Sequence, residues 1–159
     1  MIDSAENQIQ LINPYFTLCD HLLEALKRAA KRGVDVQIMV SEKCDIPITP
    51  RIVEYHTAKL MACGAKIYVF QGGFHHSKIM MMDGQCAYIG SANMNGRSMS
   101  FDYECNLFIA DAETTHELQQ LFERDKQNNC FLLTPEIRKA MPLGKKLKGW
   151  LMHFLIPLV

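Results

Sequence analysis

The sequence predicts an α/β fold, a mixed β-sheet flanked by α-helices, and three observations carry that prediction. An apolar strand, an amphipathic helix and a β-branched strand follow one another over residues 8–40, the order of a parallel βαβ unit. Two short apolar runs, Ser77–Met82 and Cys86–Gly90, flank Asp83-Gly84, a strong hairpin signal, so antiparallel strands join the parallel ones. From Ala112 to about Cys130, Leu118, Leu121 and Phe122 recur among charged residues, the pattern of a helix lying on the sheet.

Taken in order, Met1–Asn7 reads as a short helix or the end of one, and residues 8–13 as a buried strand closed by the turn Asn13-Pro14-Tyr15-Phe16. Thr17 and Asp20 resemble a capping box. Leu18, Leu22, Leu26 and Ala29 then recur on one face, giving a helix over about 18–32 that Gly33 stops. VDVQIMV, 34–40, is a strand. Pro47 and Pro50 make 41–50 a loop, and Ile52, Tyr55, Leu60 and Met61 mark a helix ending at Gly64. Strands follow at 65–70 and, after the hairpin, at Tyr103–Ala110. Residues 1–133 form one domain in this reading. The tail, 134–159, starts as a helix at Thr134-Pro135-Glu136 and runs from basic to apolar, so it packs on the domain or lies at a membrane surface.

The chain has 159 residues, 48% of them hydrophobic, enough to fill a core. Lys plus Arg and Asp plus Glu each total 17, so no net positive field advertises nucleic acid, which is the less favoured partner. The six cysteines lie mostly in apolar segments without a CxxC pair, which suits buried free thiols in a reducing compartment better than disulfides or zinc. No run reaches the roughly 20 apolar residues that cross a bilayer, and the N-terminus lacks signal-peptide order. A cytoplasmic protein is expected, peripheral at most at the inner membrane's cytoplasmic face.

The chemistry concentrates between His75 and Glu104. His76 and Lys78, two apart on a strand, point to one face where an imidazole and an ammonium can meet one anion, and phosphate suits them. Ser91 adds a hydroxyl and Asn93 an amide, from a segment opened by Gly90, whose missing side chain would let backbone approach the ligand. Glu104 could accept from the second ring nitrogen of His76, fixing its tautomer. Such a histidine can attack phosphorus while lysine and amide stabilise the equatorial oxygens, without a metal. A general acid must still protonate the departing alcohol, and one motif supplies only half of that machinery. Arg97 could hold an anionic headgroup or pair with Asp102 or Glu104, whereas His75 faces away and His116-Glu117 reads as a solvated helix face.

The spacing His76-x-Lys78, four residues, Asp83, six residues, Gly90-Ser91-x-Asn93 resembles the HKD motif of the phospholipase D superfamily. NPYF at 13–16, AAKRGVDVQIMV, AKIYVF, GSANMNGRS and the tail extend the likeness to the C-terminal half of bacterial cardiolipin synthases. The resemblance implies a phospholipase D-like half-unit and a candidate catalytic set of His76, Lys78, Asp83 and Glu104. In it His76 is the catalytic histidine, Lys78 and Asn93 with Ser91 bind phosphate, Glu104 orients the histidine, and Asp83 holds the surroundings. It implies no metal and no cofactor, a phospholipid such as phosphatidylglycerol as substrate, and a second HKD motif facing the first. Asn95 stands where the family commonly has Asp, and Asp102 near a usual Asn, so headgroup contacts could differ. With one motif present, an active homodimer, half of a larger enzyme, and an inactive remnant or membrane- or partner-binding module all stay open. So does the substrate: an endonuclease would show a basic groove, and a lipid enzyme an apolar opening rimmed by 41–50 and the tail.

Overall fold

The computed structural model describes residues 1–140. After a 3-10 turn (Ile2–Ser4) come β1 (Gln8–Ile12), α1 (Asp20–Lys31), β2 (Asp35–Ser41), α2 (Thr49–Met61), β3 (Lys66–Phe70) and β4 (Ile79–Met82). β5 (Cys86–Gly90), α3 (Gly96–Ser100), β6 (Asn106–Ile109), α4 (Ala112–Asn129), β7 (Cys130–Leu132) and α5 (Pro135–Ala140) follow. The seven strands form one mixed sheet in the order β6-β5-β4-β1-β2-β3-β7. β1, β2 and β3 run parallel, and the remaining pairs are antiparallel.

Alternation along the strands divides the core. Ile9, Leu11, Val36 and Ile38 face α1 and α2, meeting Leu23, Leu26, Val53 and Leu60. Ile12, Met39 and Met81 face α4, where Phe122 is fully buried with its ring edge-on to Tyr68. Fully burying each such side chain contributes about 2 kcal/mol, so both layers are firmly seated on the sheet.

Several sequence expectations are corrected. Thr17 does not cap α1: Cys19 is the N-cap and makes no side-chain cap bond, while the Thr17 hydroxyl is buried without a partner among the described residues. The loop after β2 ends earlier than expected because Pro50 sits in the first turn of α2, where its missing N–H costs nothing. The strand expected over Tyr103–Ala110 shrinks to four residues. β7 and α3 have no counterpart in the sequence reading. Of the cysteines, Cys86 alone is buried and Cys105 is exposed, since most lie at element ends rather than inside them. The tail beyond residue 140 lies outside the described residues, and its described part is α5, exposed at Ile137.

Asp83 occupies the hairpin turn at φ 53°, a left-handed conformation that Asp tolerates. Its carboxylate accepts from the backbone N–H groups of Glu6 (2.9 Å), Asn7 (2.8 Å) and Gln8 (2.7 Å), tying the start of β1 to the β4–β5 turn. Partial burial pushes this carboxyl up, but the three N–H groups outweigh it and hold it below the usual range. A folded pKa below the unfolded one stabilises above the unfolded pKa and loses that stability as pH falls through the folded pKa. Asp83→Ala is therefore expected to cost about 2 kcal/mol near neutral pH. In urea unfolding the gap from wild type should narrow at about pH 2, and an equal gap at both pH values would refute the assignment.

Candidate active site

The approach to β4 carries the histidine and lysine. Residues 74–78 lie outside any strand, so Lys78 precedes β4 although the strand was expected from Ser77, and His76 lies just ahead of it. The Gly90 N–H donates to the Lys78 carbonyl at 3.2 Å, which carries the β4–β5 register one step further and sets Lys78 opposite Gly90. The two side chains meet as their spacing implied: Lys78 Nζ lies 3.3 Å from His76 Nδ1 and 3.2 Å from Nε2, and donates to the His76 carbonyl at 2.9 Å.

Burial separates their roles. Lys78 is 8% exposed, whereas the His76 ring faces solvent between two aromatic neighbours, Tyr15 at 5.8 Å and Phe74 at 5.2 Å. Neither aromatic residue was singled out as a site residue, although both lie beside motifs that were. The Tyr15 hydroxyl donates to the Asp45 carboxylate at 2.6 and 2.8 Å, which pins that wall to the loop before α2. Desolvation pushes the Lys78 ammonium down, and the Glu104 carboxylate opposes that fall. Burial first and Glu104 second push the Tyr88 hydroxyl up, so Glu104 supplies the negative field on this side of the sheet.

Glu104 bonds to Ser91 rather than to His76. The Ser91 hydroxyl donates to Glu104 Oε2 and accepts from the Cys105 N–H at 3.0 Å. Gly90 also differs from its expected part. A Cβ built there would collide with Asn106 Oδ1 and lie 2.6 Å from the Cys105 carbonyl, so its space serves β6 and not a ligand. Asn106, which the sequence reading missed, accepts from the Ala92 N–H at 3.1 Å and fixes the turn after β5. Asn13 Oδ1 accepts from the Met94 N–H at 3.2 Å from the other side. Between these supports Asn93 keeps its side-chain oxygen buried with no partner among the described residues, leaving its amide uncommitted to the fold.

Other candidates fall outside this cluster. Asp83 stands at the opposite end of β4, one strand length from Lys78. His75 turns away to place Nε2 3.3 Å from Asp125 Oδ2, with its ring edge-on to Phe70. Arg97 pairs with Asp102 at 3.0 Å, and Asn95 caps α3 by accepting from the Ser98 N–H at 2.8 Å, so all three serve their own turn. His116 and Glu117 are exposed on α4. A groove of about 390 Å³ is lined by Val53, Ile67 and Val69 together with Glu42, Pro50 and Arg51. No helix among the described residues is long and apolar enough to cross a membrane.

Fold and site together define a phospholipase D-like half-unit, an HKD-type fold carrying one motif. The family model described as the phospholipase D-like domain of cardiolipin synthase matches residues 1–126, and the chain belongs to that family. It is 40% identical over 159 residues to cardiolipin synthase 1 of Staphylococcus epidermidis (strain ATCC 12228), aligning all of this chain with 32% of that protein. Its identity to the cardiolipin synthase of Listeria monocytogenes (serotype 4a, strain HCC23) is 36%, over 100% of this chain and 33% of the relative. The chain thus spans about a third of the length of the curated relatives it matches.

Two solved structures share the fold at low identity. Nuc from Salmonella typhimurium, a phospholipase D family member, superposes with a TM-score of 0.71 at 20% identity, covering 83% of this chain and 85% of that one. Phosphatidylserine synthase from Haemophilus influenzae Rd KW20 gives 0.70 at 16% identity, covering 98% of this chain and 42% of that one.

Proposed function

We propose that this chain is one half of a phosphatidyl-transferring site that acts on phospholipid phosphodiesters through a phosphohistidine. The observation that carries the reading is the exposed His76 imidazole with a buried ammonium 3.2 Å away, beside the Ser91–Glu104 pair. In the first step a ring nitrogen of His76 attacks phosphorus, the bond to the headgroup oxygen breaks, and a general acid protonates the departing alcohol. Lys78 and the Asn93 amide face the charge that gathers on the equatorial oxygens. In the second step the hydroxyl of another phosphatidylglycerol loses its proton to the same acid–base group and displaces the histidine. Two phosphatidylglycerols then yield cardiolipin and glycerol.

The acid–base group belongs, in this reading, to a second HKD half on a partner chain. An exposed apolar edge supports such a partner. β6 is an edge strand with both faces open, Leu107 being 61% and Phe108 56% exposed, and Phe101 and Tyr103 stand out from the preceding turn. An apolar edge of this kind favours a protein partner over water.

Covalent trapping tests the reading. The purified chain is quenched after mixing with labelled phosphatidylglycerol and, separately, with a labelled oligonucleotide. Acid-labile label on His76 from the lipid alone supports phosphatidyl transfer. Label from the oligonucleotide alone would overturn it in favour of a homodimeric endonuclease. No label from a chain that sediments as a monomer would assign it to a larger enzyme or to an inactive remnant.

A further inference from the structure

A second cavity, of about 360 Å³, lies behind the motif and plays no part in the chemistry above. Beside the N-terminal 3-10 turn, its walls include Leu22 and Ala25 of α1, Met80 of β4, Tyr88 of β5, and Ala92 and Met94 from the turn that follows. Four of them, Ala25, Met80, Ala92 and Met94, are 8% exposed or less, so core residues form the floor of an open depression. Its volume falls in the range of small-molecule sites.

The position of the cavity is what gives it meaning. Met80 follows Lys78 by two residues, so it faces the same side about 7 Å further along. Tyr88 is its cross-strand partner, and Ala92 and Met94 flank Asn93. The cavity lining therefore begins two residues beyond Lys78 and includes both chain neighbours of Asn93. A sugar and base would find thioethers and methyl groups there, with few polar partners. Asp3 at the rim is already engaged by Arg28 at 2.9 Å. A flexible hydrocarbon would find unbranched thioethers that adapt to its shape.

We propose that this cavity is an acyl-chain site, taking one fatty acyl chain of the lipid whose phosphate sits at Lys78; the inference rests on the lipid reading of the active site. Ala25 and Ala92 are the small residues that leave the space open, and Leu22 with the exposed Met99 forms its entrance. The alkyl chain enters from the α1 side, and the headgroup stays on the side of His76.

The test is equilibrium binding of monomeric phosphatidylglycerols with hexanoyl or octanoyl chains to the full chain. Two further methylenes in the cavity are expected to tighten binding about tenfold. Ala25→Phe, which fills the cavity from α1, should bring the two affinities to within about twofold of each other. Leu22→Trp, which blocks the entrance from a half-buried position, should act in the same direction if the first variant does not fold. Chain-length dependence that survives in a folded variant, or is absent from the wild type, overturns the acyl site. Lys78→Ala separates the two readings. If the acyl site fails and the phosphate reading stands, this variant weakens both lipids equally. If the phosphate reading fails, Lys78→Ala changes neither affinity, and loss of the length dependence in Ala25→Phe still supports a hydrocarbon site.

Discussion

Replacing His76 with alanine is expected to lower turnover of a phosphodiester substrate by roughly 10⁴-fold or more, as loss of a covalent nucleophile does in other enzymes. The fold should survive, because the ring is exposed and its contacts are two aromatic rings and one ammonium. Losing them costs about 1 kcal/mol. His75→Ala is the matched control. That ring is held by Asp125 and Phe70 and faces away from Lys78, so its removal should reduce stability and spare turnover. Paired measurements of thermal unfolding and single-turnover rate decide the matter. If His75→Ala abolishes turnover while His76→Ala retains it, the nucleophile has been misassigned.

Gly90→Ala is expected to be the most destabilising single methyl addition in the motif, at about 3 kcal/mol. The added carbon would fall 2.6 Å from the Cys105 carbonyl and 2.8 Å from Asn106 Cα, and backbone atoms in a strand pair cannot move aside singly. The β5–β6 ladder would have to open. In a domain of this size the loss corresponds to a fall in melting temperature of about 8 °C. Turnover should fall with it, because the displaced atoms also hold Ser91, Ala92 and Glu104. Gly96→Ala, six residues on, adds a carbon that meets nothing within 4 Å and should change stability by less than about 0.5 kcal/mol. Similar melting shifts in both variants would refute the steric argument.

Much of this frame was legible in the sequence because its signals are local. Gly33 and Gly64, at φ 93° and 98°, end α1 and α2 where the apolar periodicity stops, and Asp83-Gly84 turns the hairpin it announced. The meeting of His76 and Lys78 was expected from their two-residue spacing, although both lie ahead of β4 rather than in it. What could not be read depends on partners far along the chain. Glu104 is thirteen residues from Ser91, and nothing in that interval says that the carboxylate will prefer a hydroxyl to an imidazole. Asn106 carries no motif of its own, and its value arises only when β6 lies against Gly90. β7 is a three-residue edge that exists because β3 offers it a ladder.

The central position of β1 also constrains how the protein can be made. Its parallel partner β2 leaves the ribosome about two dozen residues after it, but its antiparallel partner β4 and the Asp83 clamp arrive some seventy residues later. Phe122, which seals the opposite face, follows later still. Ile12 and Met39 therefore emerge as an uncovered apolar surface long before the segment that buries them has been translated. A nascent chain in that state is a substrate for holding chaperones, and slowing translation between β3 and β4 would lengthen its exposure.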